Sequence, residues 1–513
     1  MGYKLLELKI PLNFSEAELS ERIRRETGTS VFGFEVLSKS LDARKKSNIV
    51  WLMRVLVNSP DLKGVRPPEP PVLEIVRKDR NRRILVLGSG PAGFFAAYVL
   101  QKAGFSTILI ERGTSVRKRN QGILYFEKTG RFNPQSNYSF GEGGAGTFSD
   151  GKLTSRSKHI SRERAFVLST YVEAGAPAEI TWLAHPHVGT DFLKKIVENM
   201  RKKYIAEGGE VHFETMLTDL SVKNGRVVAA VTSRGEIEAD YFILAPGHSS
   251  YETFRMLMGR GVGFHPKNFA LGSRAEHPQA LINVAQWGVE HLEGLKAAEY
   301  RLTSAADGRH SVYSFCMCPG GVVVPAASYP DTNVVNGMSY YRRAGKYANA
   351  ACVAGVNLRQ LAGQNLSALE CIDWLEALEK RFYDYTGSFK APFCSIRDFI
   401  DQRPPESIPP SSYPLGLRPA PLWELLPPAV SAAMREGLID FSRKINGYSN
   451  GILIGLESKT SSPIQSDRQD NGLCTGFSNL FIVGEGSGYA GGIVSSAADG
   501  IKVAMGIIGN EDS

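Results

Sequence analysis

Cysteine is scarce in this chain, with six in 513 residues. That is too few to staple a disulfide scaffold, and it points to a reducing compartment. Long apolar runs are missing too. No window approaches the roughly 18 consecutive apolar residues that a membrane helix needs. The opening MGYKLLELKIPLNFSEAEL has neither an apolar signal core nor a small-residue cleavage site. A cytoplasmic protein without a membrane span is expected. Glycine is plentiful, 52 residues, but no Gly-X-Y period accompanies it, which excludes a collagen-like class. No internal repeat is visible. With 42% hydrophobic and 22% charged residues the chain can bury large cores, which excludes disorder. Its length suggests about three domains.

Charge is uneven. The chain carries +8 overall, from 60 Lys and Arg against 52 Asp and Glu. Residues 1–83 hold 17 cations and 11 anions, so +6 lies there, and Arg77 to Arg83 (RKDRNRR) alone contributes +4. Such a run reads as a solvated linker, with contact to nucleic acid or an anionic surface as the functional alternative.

Two alternating apolar runs, 3–10 (YKLLELKI) and 48–57 (NIVWLMRVLV), flank SEAELSERIRRE and FEVLSKSL. Ser15 and Glu18 stand at capping-box spacing, which starts a helix there. Residues 1–60 therefore predict a small βαββ unit, half of a ferredoxin-like fold. PDLKGVRPPEPP (60–71) follows as a proline-stiffened linker, and with the basic run it fills 61–82. Far downstream, Arg403 to Pro428 packs nine prolines into 26 residues. Neither helix nor strand is expected at that density. Yet Tyr413, Leu415, Leu417, Leu422, Trp423 and Leu425 are too apolar for a tether. An ordered loop is expected there, either covering a buried site or wrapping the surface.

Arg83 to Leu87 (RILVL) is a short apolar strand, followed at once by Gly88-Ser89-Gly90-Pro91-Ala92-Gly93 and the helical stretch FFAAYVLQKAGF. A second strand, STILI, then leads to Glu111. The tight turn needs Gly88, close approach of backbone to a pyrophosphate needs Gly90, and helix–strand contact needs a small residue at Gly93. The pyrophosphate is expected at the positive end of the helix. Glu111 is expected to accept the adenosine ribose hydroxyls. This is the pattern of a dinucleotide site.

At the other end, Asn479 to Val483 (NLFIV) is a strand followed by Gly484-Glu485-Gly486 and a helix opening near Gly492. This resembles the second flavin motif of glutathione-reductase-type FAD proteins. Ala239 to Gly247 (ADYFILAPG) matches that class's strand returning to the nucleotide after a small β-meander. The resemblance implies an acidic residue on the ribityl chain and a helix N-terminus at the flavin N1/O2 edge. The physics agrees, because reduced flavin is negative near N1 and helix-end N–H groups stabilise that charge. Non-covalent FAD is expected rather than NAD.

Narrower strings carry a closer resemblance: SNYSFGEGGAGTFSDGKL (136–153), HPHVGTD (185–191), FCMCPGG (315–321), VVNGMSYYRR (334–343), ESKTSSPI (457–464) and GEGSGYAGGI (484–493). They resemble the family usually called uncharacterised FAD-dependent dehydrogenases, from about Arg83 to the C-terminus. The resemblance implies a flavin domain assembled from separated segments around an inserted substrate domain, with no substrate assigned. The cofactor set is Gly88, Gly90, Pro91, Ala92, Gly93, Glu111, Arg112, Gly144, Gly146, Thr147, Leu217, Ala245, Gly247, Gly484, Glu485, Gly492 and Ile493.

GEGGAG (141–146) has no strand before it and no good helix after it, so it reads as a loop lying along the first cofactor. Lys152 just beyond can reach the flavin N1/O2 or N5 region, or can merely pair with an acid. No second fingerprint follows a strand, so NAD(P)H, if used, binds transiently as electron donor. Cys316 and Cys318 can cycle with a disulfide, or they are two small residues in a strand; no set at metal-ligand spacing completes a zinc site, and no metal is expected. Cys352, Cys371, Cys394 and Cys474 read as buried or incidental. His185 and His187 remain candidate general acids, while Thr190 and Asp191 suit a helix cap. Glu457 and Arg468 are flavin or substrate candidates by resemblance.

The expected fold is α/β. A Rossmann-like FAD domain of the GR2 type, with central parallel sheet and β-meander, is expected in two parts, 83–250 and 451–513. An inserted α+β substrate domain is expected at 251–450. The expected activity is hydride transfer between flavin N5 and a small organic substrate. A flavoprotein acting on or bound to RNA through residues 1–83, a flavin monooxygenase, and a structural flavin are the alternatives. Lys152, Cys316 and Cys318 are the catalytic candidates.

Overall fold

The computed structural model describes residues 1–69, 72–306, 308, 310–358 and 365–512; Pro70 and Pro71, in the expected linker, lie outside them. At the N-terminus, strands Gly2–Ile10, Gly33–Asp42 and Val50–Ser59 form an antiparallel sheet with the last strand in the centre. Ser15 and Glu18 close their capping box in both directions at the start of the helix Glu16–Thr27. Alternate residues Leu6, Leu8, Ile10 and Met53, Val55, Val57 turn toward Leu19 and Ile23 of that helix. The unit docks on the body through Lys39, whose backbone exchanges hydrogen bonds with Trp182 and Ala184.

Most of the basic run is exposed, but it is also tied down by ion pairs. Arg80 pairs with Asp512 at 2.8 Å and its side chain is only 6% exposed. Lys78 reaches the same carboxylate, and Arg82 reaches Glu511 and Asp240. The acidic end of the C-terminal helix supplies these partners and pins the run to the body.

The five strands Leu480–Ile482, Tyr241–Leu244, Arg83–Leu87, Ser106–Ile110 and Glu210–His212 lie side by side, all parallel. Buried on both faces, they are apolar almost throughout. Ile84 and Val86 face a helix layer, while Leu85 and Leu87 face a three-stranded meander, Leu217–Lys223, Arg226–Thr232 and Gly235–Glu238. In the helix layer Pro91–Lys102 packs on the C-terminal helix Ile493–Asp512. A Cβ on Gly500 would stand 2.1 Å from the Ala92 carbonyl oxygen, so this contact is backbone to helix.

The second sheet has eight strands. Its path runs Thr303–Ser304, Val312–Pro325, Tyr347–Val356, Phe269–Pro278, Ile452–Glu457, Ala391–Ser395 and Leu417–Pro419, with Val335–Met338 paired beside Val312–Pro325. The strand Ile452–Glu457 lies beyond the boundary expected at residue 450, since it fills the gap between Phe269–Pro278 and Ala391–Ser395. The proline-rich segment also departs from expectation, because it forms the edge strand Leu417–Pro419 and the helical turn Leu422–Leu425. Both survive because Pro419 closes an edge strand and Pro421 precedes the turn, where no N–H is required. Ser412 and Tyr413 pin the segment to the sheet through Glu276 and the Phe389 carbonyl. Among the described residues no helix is long and apolar enough to cross a membrane.

Replacing Gly500 by Ala forces the two central helices apart. The expected result is a loss of about 2 kcal/mol of stability, read as a lower urea or thermal midpoint.

Candidate functional site

The turns at the C-terminal edge of the parallel sheet interlock where side chains are absent. Gly88 has φ of 91°, and a Cβ there would fall 2.2 Å from the Ala245 carbonyl oxygen. A Cβ on Gly93 would meet the Gly88 carbonyl oxygen at 1.9 Å. Gly90 begins the helix with no side-chain cap, and Pro91 supplies its first turn. That leaves helix-end N–H groups available to an anion. Gly144 (φ 66°) faces it, with a would-be Cβ 3.0 Å from Gly90 Cα. Gly143 donates its N–H to the Ser89 carbonyl at 3.1 Å.

What holds this second turn is Arg119, which sequence reasoning missed. Its guanidinium is wholly buried and donates to the carbonyls of Asn137, Tyr138, Gly141, Glu142 and Gly144. Burial lowers its pKa to about 10, opposed by Glu111 and Glu142, so it stays charged at neutral pH. Glu111 is placed beside the fingerprint, but not as a free acceptor. Its carboxylate already receives the Ser89 N–H and hydroxyl and the N–H groups of Gly113 and Gly141. It clamps three turns together, using about all the acceptor capacity a carboxylate has. Arg112 stacks over Phe140 at 3.8 Å and pairs with Glu252.

The C-terminal motif joins the same edge. A Cβ on Gly484 would meet Ala92 at 2.6 Å, and one on Gly486 would meet the Gly247 carbonyl at 2.7 Å. Asp499 accepts from the Gly484 N–H and from Arg468, which also lies over Tyr489 at 4.2 Å. Gly146 packs against Ile493, the first residue of the C-terminal helix, and the Thr147 carbonyl accepts from Thr190. Gly247 and Gly492 both have positive φ and open space where a side chain would stand. Leu217 is buried under the meander. These bare turns and two helix N-termini fit the backbone approach and anion binding that FAD requires.

A buried charged cluster joins the loop after Gly146 to the large sheet. Buried Asp150 accepts from Lys152, from Ser339 and from two nitrogens of Arg343. Burial alone would raise its pKa, but Lys152 and Arg343 hold it well below the carboxylate range. Burial disfavours the Lys152 ammonium, and Asp150 more than offsets this, keeping it charged. Lys152 also donates to the Met317 carbonyl, between Cys316 and Cys318. Next to them Arg274, fully buried, donates to Glu457, Asn349, Asn336 and the Cys316 carbonyl. Burial raises the Glu457 pKa, with Arg274 and then His248 opposing. Three buried polar atoms here have no partner: Nε2 of His248, whose Nδ1 stands 3.4 Å from Glu485, Oε1 of Glu457, and Nδ2 of Asn349.

The structure corrects two local expectations. The helix Gly189–Ala206 begins before Thr190 and Asp191, and neither caps it. Asp191 instead accepts the Tyr341 N–H, so these side chains join the flavin loop to the large sheet. His187 is stacked on Tyr341, and burial, then Arg343, lowers its pKa to about 3. It is neutral at physiological pH. Arg274, Asp150, Arg343 and His248 were not singled out beforehand. Asp150 and Arg343 lie inside distinctive strings, and His248 directly follows the Ala245–Gly247 turn. Nothing in the sequence around Arg274 signals its role.

Comparison with known proteins gives four findings. The family model described as FAD-dependent protein, C-terminal domain-like, matches residues 268–460. A Clostridium beijerinckii protein described as uncharacterized is 40% identical, covering 98% of this chain and 97% of its own. Protein FixC of Azotobacter vinelandii is 27% identical over 198 residues, 38% of this chain and 42% of its own. Among solved structures the flavin-dependent brominase Bmp2 is 14% identical over 84% of this chain and 80% of its own, at a TM-score of 0.39.

Two predictions follow from this geometry. Gly144→Val, with a branched side chain at positive φ against Gly90, is expected to yield a folded but colourless protein, checked by circular dichroism and visible absorbance. Between about pH 6.5 and 3 the unfolded chain binds a proton at His187 that the native chain refuses, so stability falls on acidification through that window. His187→Phe is expected to flatten this slope, measured by urea midpoints at neutral pH and about pH 4.5.

Proposed function

We propose, on the premise that this chain belongs to a family of FAD-dependent proteins, that it is an oxidoreductase passing a hydride between FAD and a small organic substrate. One observation carries the reading. The turns at 88–93, 141–146, 245–247 and 484–492 meet at one sheet edge, and a charged, buried cluster of the large sheet lies against them. Bound FAD supplies two-electron chemistry at N5.

The chain's own residues bind, orient and hold protons. Gly90, Gly144 and the start of the helix Pro91–Lys102 take the pyrophosphate through backbone N–H groups. Glu111 orders these turns from within, its carboxylate already taken up by Ser89, Gly113 and Gly141. Glu485, in the C-terminal glycine turn, would be the acidic residue that holds the ribityl chain. The start of the C-terminal helix at Gly492 and Ile493 would offer its N–H groups to the ring edge that becomes negative on reduction. The large sheet, inserted in sequence between the two flavin segments, forms the substrate side. There the Lys152 ammonium adds positive charge, and the free Nε2 of His248 is placed to hold a substrate proton, with the Glu457 carboxyl beside it. The donor in the reductive half-reaction is NAD(P)H bound transiently or the organic substrate itself.

The test is anaerobic mixing of the yellow protein with NADH and then NADPH while the main visible flavin band is followed. Bleaching by either establishes a reductase half-reaction; a protein that takes up no FAD overturns the reading. His248→Gln is expected to keep the flavin and slow its reduction or reoxidation about 10²-fold. An unchanged rate removes His248 from proton handling.

A further inference from the structure

We propose that Cys316 and Cys318 form a redox-active dithiol, a second chemical site that exchanges electrons with small disulfides. Thiol exchange needs only this pair; its coupling to FAD rests on the function proposed above.

The pair sits on the strand Val312–Pro325, where residues two apart can share a face. The strand does not run regularly there. Its pairing with Tyr347–Val356 shifts between Phe315 and Cys318 and again between Cys318 and Gly321, so extra residues bulge from the ladder. Cys316 takes φ of 43°, a left-handed conformation that a residue with a side chain seldom adopts. Such conformations cluster at functional sites. The result turns the Cys318 thiol back onto Cys316, where it donates to the Cys316 carbonyl at 3.4 Å.

The two positions are unequal in the way exchange chemistry requires. Cys316 is partly exposed, next to exposed Phe315, whereas Cys318 is fully buried. Two cations attend them. Arg274 Nη1 lies 4.0 Å from the Cys318 sulfur, and Lys152 is bonded to the Met317 carbonyl between them. The neighbouring Cys318 thiol, against burial and helped by Arg274 and Lys152, lowers the Cys316 pKa. The Cys316 side chain first, and burial second, keep Cys318 protonated. By contrast, burial pushes Cys352 and Cys474 up to about 12.

The step balances as follows. The Cys316 thiolate attacks a small disulfide, forming a mixed disulfide and releasing one thiolate. The Cys318 sulfur then attacks Cys316, closing the Cys316–Cys318 bond, and its proton leaves with the second thiol. The protein pair is oxidised by two electrons and the small disulfide is reduced. Regeneration of the pair, with Cys316 as thiolate and Cys318 as thiol, needs two electrons and one proton, which reduced FAD would supply as a hydride. A bridge between residues this close in sequence is strained, which suits exchange rather than scaffolding.

The test equilibrates the purified FAD-bound protein in buffers of reduced and oxidised dithiothreitol, quenches with acid, alkylates with N-ethylmaleimide and weighs the tryptic peptide 310–342, which holds only these two cysteines. The expected result is loss of both alkylation sites together as the buffer becomes oxidising. Cystamine added to Cys318→Ser should leave a mixed disulfide trapped on Cys316, and Cys316→Ser should trap none. If both sites remain alkylated in the wild type under fully oxidising buffer, the dithiol is overturned whether or not the variants fold. Anaerobic reduced dithiothreitol should bleach the wild-type flavin at least tenfold faster than that of either variant; equal rates overturn the relay while leaving the thiol result intact. A colourless preparation would instead defeat the FAD reading, with the peptide masses still deciding the pair.

Discussion

The buried guanidinium of Arg119 gathers five backbone carbonyls from residues 137–144, and the cofactor side of the molecule is laid out around the loop it holds. Without that cation the segment would be a glycine-rich surface turn with carbonyls facing inward and no donors, a costly arrangement in a buried setting. With it, Gly144 is delivered onto Gly90 and the loop continues to Gly146 at the start of the C-terminal helix. Glu111 completes the arrangement from the anionic side by collecting N–H groups from the neighbouring turns. One charge of each sign thus orders backbone groups that would otherwise compete for water.

Buried charges also gather where the large sheet meets the loop after Gly146. Burying the Arg274–Glu457 and Asp150–Arg343 pairs carries a desolvation cost that an apolar pair would avoid. They lie where the sheet meets the flavin loop, and their surplus capacity is directed: Lys152 toward the Cys316–Cys318 bulge, Glu457 with one oxygen unpartnered. A second buried set, Lys459 with Glu379 and Tyr251, ties the strand ending at Glu457 to two helices and is nearer a structural fastening.

The N-terminal unit is joined to this body by backbone pairing at Lys39. The basic run that follows it is taken up by Asp240, Glu511 and Asp512. The +4 that stands out in the sequence therefore serves to fasten the chain's beginning to its end, a use of charge that local composition does not reveal.

Local patterns in the sequence determined a good deal by themselves. The Ser15–Glu18 cap, the strand–Gly88–Gly90–Gly93–helix unit, and the glycine turns near 247 and 484 depend on contacts within a few residues or on the absence of a Cβ, and both are legible in order. Tertiary structure alone decided the rest, because the partners lie far apart in the chain. Arg274 meets Glu457 across 183 positions and Arg343 meets Asp150 across 193. The prolines of 403–428 acquire a strand only because the sheet edge at Ala391–Ser395 is there to receive one. Glu111 becomes a clamp rather than a free acceptor because Gly141 is brought to it from 30 residues away. Short-range sterics write themselves into sequence; the pairing of distant charges follows from how the sheets close.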